Sequence, residues 1–429
     1  MNIVNQMKTI NIKLLRLLFV LLCVGIQSLQ AVPEPALKSG DRIVFFGDSI
    51  TTLGAGPEGY VSLVVAAMTL RCPWMEVDCL ANAGLPGDTA PGGLRRLQTS
   101  VLDQKPTVVT LCFGMNDARA APYDDQTYAT YMAGMSNLVA ALKAARVRAV
   151  LITSSPVDSL RAKSWFKTEA DARACNVMLA RMAEGLKALA TRENLAFCDV
   201  FTPMLEIQER AQKADPAFTL APDGIHPNAL GNALMARGIL KGLQITNAPA
   251  SLMIDAANGA FKADQCEVSN LLVTTGAVSF TRTDRAFPVF LPAQAESLSP
   301  YVPLQEEMNP YRFTVKGLKP DCNWRLCVSG TNVGTFTSAQ LAAGTNLALL
   351  AGPWRDLAEY VDRLTAAQQR LGVSNISFPQ RMKGWMPNEA KPEMQALLNR
   401  VEVIIREREA ARKAVPHTVG KWIWVLTRQ

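Results

Sequence analysis

Only two histidines, His226 and His417, occur in the 429 residues. A side chain that exchanges protons near neutral pH therefore has few places to be. His226 stands in Asp223-Gly-Ile-His-Pro227, a carboxylate three residues before it and the helical pattern Asn228–Met235 after it. A turn of that length can aim the Asp223 carboxylate at one ring nitrogen and leave the other for a hydroxyl nucleophile. Ser49 fits that role. In Gly47-Asp48-Ser49 the glycine permits a sharp departure from the apolar run Arg42–Phe46 and leaves the serine hydroxyl at its end. Two further apolar runs end in Asn82-Ala-Gly84 and Gly114-Met-Asn-Asp117. A glycine N–H and an asparagine amide are unhindered donors suited to a developing oxyanion. Each cluster alone is ordinary turn chemistry; together they supply nucleophile, base, orienting acid and oxyanion donors. His417 follows Pro416 in a stretch without a neighbouring carboxylate and reads as a structural histidine.

These groups can meet only if the intervening chain carries them to one edge. Buried strands are expected at 42–46, 75–80, 107–113, 148–153 and 196–201, with helices at 60–68, 94–102, 127–145 and 169–192 between them. Alternating units whose strands are almost continuously apolar indicate a parallel sheet covered on both faces. In such sheets functional groups gather at the carboxyl ends of the strands. From about 250 to 345 the texture changes to short alternating segments such as Tyr311–Val315 and Trp324–Val328, separated by turn signals, which predict a small antiparallel β module. The last 80 or so residues turn helical. Leu357, Tyr360, Val361 and Leu364 share one face, and Leu397, Leu398, Val401 and Ile405 share another. The mixed-charge run Arg406–Lys413 reads as a solvated helix face, and Trp422-Ile-Trp-Val-Leu426 as a packed terminal strand.

Gly47-Asp-Ser-Ile-Thr51, Asn82-Ala-Gly84, Gly114-Met-Asn-Asp117 and Asp223-Gly-Ile-His226 resemble, in order, the four blocks of the SGNH (GDSL-type) hydrolases. The resemblance covers about 200 residues, from Arg42 to Gly242. It implies an α/β flavodoxin-like α/β/α sandwich with a parallel five-stranded sheet, and ester hydrolysis through an acyl-enzyme. Carried over, it makes Ser49 the nucleophile, His226 the base and Asp223 its partner, with the N–H groups of Ser49 and Gly84 and the Asn116 amide forming the oxyanion hole. No metal or organic cofactor is implied. The extended block Phe46–Gly56 with Gly59-Tyr60, and the segment Leu341–Ala348, also look like an exported bacterial subgroup with a C-terminal accessory region. For such proteins the expected substrate is an O-acetyl group on a carbohydrate, with lipid esters or thioesters as the alternative. The segments Leu85–Gly93 and Pro156–Phe166 are expected to border the pocket, and Arg119 to form a surface salt bridge, with contact to an acidic sugar as the other reading.

The amino terminus carries Lys8, Lys13 and Arg16 ahead of the apolar run Leu17–Ile26, with Ala31 before Val32-Pro-Glu-Pro35. That order predicts a secretory signal over 1–31. The run is short for a membrane span, which needs about 20 apolar residues. The expected organisation is then a hydrolase domain over 32–246, a β-rich accessory module over 247–348 and a helical region over 349–429. The destination is the periplasm, the cell surface or the exterior. Eight cysteines follow the leader. Disulfides are permitted there, and Cys72–Cys79, flanking a short proline-containing connection, is the expected pair, whereas Cys322 and Cys327 would point to opposite faces. The formal net charge of +7 is not gathered into a basic stripe, so no nucleic-acid partner is indicated. The expected partner is a small ester or an acetylated polysaccharide. Two rivals remain from the residues alone: an inactive glycan-binding surface protein, and a glycosidase using Asp48, Asp117 and Asp223.

Overall fold

A computed structural model describes residues 36–118, 124–245, 248–382, 391–418 and 420–429. The expected leader over 1–31 and Arg119 lie outside the described residues. The first half of the chain runs β1 (Arg42–Gly47), α1 (Ser49–Leu53), α2 (Tyr60–Arg71), β2 (Asp78–Gly84), α3 (Ala90–Ser100), β3 (Val108–Cys112) and α4 (Met115–Ala118). It continues with α5 (Asp125–Ala144), β4 (Arg148–Ile152), α6 (Glu169–Glu193), β5 (Ala196–Cys198), α7 (Phe201–Ala214) and α8 (Ala229–Gly242). The five strands form one parallel sheet in the order β2-β1-β3-β4-β5. Every residue of β3 is buried, and so is all of β1 after Arg42. That is why these segments read as unbroken apolar runs. The order reverses between β1 and β3, so the crevice above those two strands is where an open α/β sheet receives a ligand.

Two details differ from the expected elements. β2 begins at Asp78 instead of Met75, because Pro73–Met75 forms a short 3₁₀ turn and Glu76 takes a left-handed φ of 50°. Asn82-Ala-Gly84 is consequently strand and not turn, pairing with Phe45, Phe46 and Gly47 of β1. In addition, β5 stops at Cys198, and Phe201 opens α7, a helix the apolar run concealed.

The second half adds β6 (Ser251–Asp255), β7 (Phe261–Asp264), β8 (Cys266–Val273), β9 (Ala277–Asp284), α9 (Leu304–Met308), β10 (Arg312–Lys316), β11 (Asn323–Val328) and β12 (Thr331–Thr337). Then come α10 (Ser338–Ala343), β13 (Thr345–Asn346), α11 (Pro353–Met382), α12 (Lys391–Thr418) and β14 (Lys421–Arg428). One sheet, β12-β11-β14-β9-β8, is antiparallel throughout. The other, β13-β10-β6-β7, contains one parallel pair, β6 with β10. The terminal strand β14 lies at the centre of the antiparallel sheet. Its Trp424 is fully buried, stacked 5.5 Å from Trp354 and 5.7 Å from Phe280.

The C-terminal helices close the open edge of the parallel sheet. Both main-chain groups of Cys79 in β2 meet their side chains: its N–H donates to Glu409 at 3.1 Å and its carbonyl accepts from Gln368 at 3.3 Å. Glu409 also pairs with buried Arg412, which bonds Thr69 of α2. The run Arg406–Lys413 is therefore not a purely solvated face. Its i, i+3 pair Glu409–Arg412 turns inward, because an edge strand's unpaired N–H and C=O need partners. Of the expected apolar faces, Val361, Leu357 and Ile405 are buried, while Tyr360 and Leu397 are exposed. All eight cysteines from Cys72 onward are free thiols. The expected Cys72–Cys79 bridge is absent: both side chains pack in the apolar core as small hydrophobes.

Candidate active site

Ser49 is the first residue of α1, directly beyond the carboxyl end of β1. The Asp48 carboxylate caps that helix, accepting from the Ile50 N–H at 2.9 Å. The Ser49 N–H, at the first helical position, has no acceptor within the helix. Gly47 makes the sharp exit from the strand possible. A Cβ there would stand 2.2 Å from Thr51 Oγ1 and 2.4 Å from the Cys112 carbonyl oxygen. From the neighbouring strand, Asn82 donates its amide to the Thr51 carbonyl at 2.7 Å, tying β2 to the serine helix.

His226 approaches from the loop before α8. Its Nε2 lies 2.9 Å from Ser49 Oγ and its Nδ1 lies 2.6 Å from Asp223 Oδ2. The other carboxylate oxygen of Asp223 accepts the N–H groups of Ile225 at 3.0 Å and His226 at 2.8 Å. Partial burial opposes the charge on Asp223, but the hydrogen bonds from the His226 ring and those two N–H groups outweigh it and hold its carboxyl below the usual range. With Nδ1 donating to that carboxylate, Nε2 is left to accept the Ser49 proton. The expected constellation of Ser49, His226 and Asp223 is brought together. His417 lies in the last turn of α12 and takes no part in it.

The loop that carries Asp223 and His226 is fastened from outside by a residue with no motif. Asp158, with no exposed surface, accepts from Thr219 Oγ1 at 2.6 Å, Gln212 Nε2 at 3.0 Å and the Leu160 N–H at 3.1 Å. Its own N–H donates to the Gly224 carbonyl at 2.9 Å. Gly224 has φ +90°, and a Cβ on it would lie 2.3 Å from the Ala162 Cα. The partners Gln212 and Thr219 are 54 and 61 residues away in sequence, so local pattern gives no signal for Asp158.

The oxyanion side needs one correction. Asn116, in α4, donates one amide hydrogen to the Asp88 carbonyl at 2.9 Å, which orients the group and leaves its second hydrogen available. Gly84 does not fit as a donor, because its N–H is committed to Asn82 Oδ1 at 3.0 Å. Its lack of a side chain serves packing: a Cβ would stand 2.3 Å from the Thr52 nitrogen. Gly87, beside the Asp88 carbonyl that Asn116 holds, offers an N–H instead. It occupies the third position of the turn Leu85-Pro-Gly-Asp88, closed by Asp88 N–H to Leu85 carbonyl at 3.2 Å, with φ +79°. Its own N–H makes none of the turn's hydrogen bonds, as expected for that turn type. The Pro-Gly pair is the sequence signal that could have found it.

Behind these groups the strand ends share one cation. Arg96 of α3 pairs with Asp88 at 2.6 Å and donates to the carbonyls of Ala83 at 2.8 Å and Gly47 at 2.9 Å. Its guanidinium sits 4.3 Å over the Phe46 ring. Burial, with the nearby Asp117 and Asp88 charges, pushes the Asp48 carboxyl up to about 7. Burial does the same to Asp117, also to about 7. Asp117 accepts the Ala90 N–H at 3.1 Å, at the start of α3. Among the described residues no group of three or more His, Cys, Asp or Glu is placed to hold a metal ion.

A family model described as GDSL-like lipase/acylhydrolase matches residues 45–234. The acetylxylan esterase of Geobacillus stearothermophilus is 26% identical over 222 residues, 48% of this chain and 94% of its own length. The solved structure of a gut microbial diltiazem-metabolizing enzyme is 26% identical with a TM-score of 0.76, covering 92% of this chain and 99% of that one. The similarity to that enzyme therefore extends through the β module and the C-terminal helices.

Proposed function

The chain belongs to the GDSL-like lipase/acylhydrolase family through residues 45–234, and from that premise we propose that it is a serine esterase removing O-acetyl groups from carbohydrates. The observation that carries the reading is the unbroken relay from Ser49 Oγ through His226 to Asp223, with contacts of 2.9 and 2.6 Å. The ester carbonyl is attacked by Ser49 as its proton passes to His226 Nε2. Asp223 holds the ring in the tautomer that can accept that proton and stabilises the imidazolium that results. The tetrahedral oxyanion is held by the N–H groups of Ser49 and Gly87 and the second amide hydrogen of Asn116. His226 then protonates the departing alcohol, and water enters by the same route to release the acyl group.

The acetyl-carbohydrate substrate is supported by the acetylxylan esterase relative, which matches along nearly its whole length. Export through residues 1–31 fits a polymeric substrate that cannot enter a cell. The test compares acetate release by wild type and Ser49→Ala on ethyl acetate and a panel of acetylated xylo-oligosaccharides. Release from both substrates, lost in Ser49→Ala, is expected. Ethyl acetate cleavage without release from any acetylated sugar would keep the esterase and remove the carbohydrate. Unchanged release by Ser49→Ala would remove the mechanism.

A further inference from the structure

Trp165 stands beside the base without being buried by it. Its ring centroid lies 6.0 Å from that of His226 at an interplanar angle of 73°, and 38% of the residue is exposed. The main-chain N–H of Trp165 donates to the Ala162 carbonyl at 2.9 Å, and Ala162 packs against Gly224 between the acid and the base. Asp158 locks the same segment to the same turn. The segment that carries Trp165 is therefore packed against the turn that carries His226.

Position relative to the base decides which half of an ester the indole meets. A general acid must reach the leaving oxygen, so as the first tetrahedral intermediate collapses the alcohol lies within hydrogen-bond distance of His226 Nε2. The acyl carbonyl lies instead toward Ser49 and the oxyanion donors. An exposed aromatic ring flanking the imidazole is within reach of the alcohol that the imidazole protonates. An exposed indole offers a flat apolar face with a polar edge, which matches the axial C–H face of a pyranose or another ring-bearing alcohol and gains little from a two-carbon alcohol.

We propose that Trp165 is the stacking platform of an alcohol-side subsite that selects esters of ring-bearing alcohols. The proposal rests on the esterase reading above and deepens it. It is tested with full-length wild type, Trp165→Ala and Trp165→Phe on ethyl acetate, cyclohexyl acetate and an acetylated xylo-oligosaccharide. Trp165→Ala should lower kcat/KM for the ring esters about tenfold relative to ethyl acetate, the effect of returning roughly two CH₂ groups to water. Most of the loss should appear in KM, and Trp165→Phe should restore much of it. If Trp165 only steadied His226, kcat would fall equally for all three esters, and that outcome overturns the proposal. So does an unchanged ratio of ring to ethyl ester. Failure of the carbohydrate reading shows differently: cyclohexyl acetate keeps its dependence on Trp165 while the acetylated sugar is not cleaved by wild type.

Discussion

In the proposed mechanism the Asn116 side chain serves both structure and chemistry. One of its amide hydrogens fixes the Asp88 carbonyl, and the other is free for charge that develops only in the transition state. Removing one such donor typically costs about 10²–10³ in kcat. Asn116→Ala should show that loss on ethyl acetate with KM little changed, since a donor aimed at the oxyanion stabilises the transition state more than the bound ester. A fall confined to KM would place the amide in ground-state binding instead. Legibility at this scale is uneven for a physical reason. Ser49, Asn116, Asp223 and His226 stand out in the sequence because their side-chain types are those the proposed chemistry needs. Gly84 misled, since a glycine contributes only its backbone, and which way an N–H points depends on the register of β2 and on the Asn82 side-chain oxygen that captures it. Asp158 left no local trace, because its role is assembled from Gln212, Thr219 and Gly224 after folding.

Elements place those residues by ending together. β1, β2 and β3 finish around Arg96 and the carboxylates Asp48, Asp88 and Asp117, so the turns beyond them converge on one crevice. The parallel sheet was readable from unbroken apolar runs. The start of β2 was not, because Met75-Glu-Val-Asp-Cys-Leu80 has strand composition while Pro73 and the left-handed Glu76 delay pairing until Asp78. Convergence has an electrostatic cost that can be measured. In the unfolded chain Asp48 loses its proton near the ordinary aspartate value, whereas burial keeps it bound in the fold up to about 7. Between those values the folded state binds more protons than the unfolded one, so stability from this group is full below pH 4 and declines as pH rises toward 7. Asp48→Asn keeps an oxygen to accept the Ile50 N–H and removes the titration. Urea midpoints taken from pH 4.5 to 8 should fall less with pH in Asp48→Asn than in wild type, Asp117 supplying the residual slope. Parallel curves for the two proteins would mean that Asp48 is already ionised in the fold at low pH.

At the scale of the whole molecule, sequence texture suggests three successive pieces, yet residues 36–429 form one compact unit. Texture reports which secondary structure a segment adopts; it does not report what the segment packs against. The chain leaves the parallel sheet, builds the β module, returns through α11 and α12 to cover the edge of β2, and ends as the central strand of the antiparallel sheet. Further ties cross between the halves: the Phe287 N–H donates to the Leu70 carbonyl at 2.9 Å, and Arg237 pairs with Glu307 at 2.6 Å. Such threading couples the two halves through covalent continuity as well as packing. Trp424 tests the coupling, being fully buried in the module's aromatic cluster and remote in sequence from every catalytic residue. Trp424→Ala removes a core side chain whose truncation typically costs about 3–5 kcal/mol. In urea, the midpoint for loss of esterase activity and the midpoint for loss of near-ultraviolet circular dichroism should coincide in wild type. Both should move to lower urea together in Trp424→Ala, with kcat before the transition unchanged. If the activity midpoint stayed in place while the spectroscopic one fell, the β module would unfold independently, and the clamp of α11 and α12 on β2 would not transmit stability to the site.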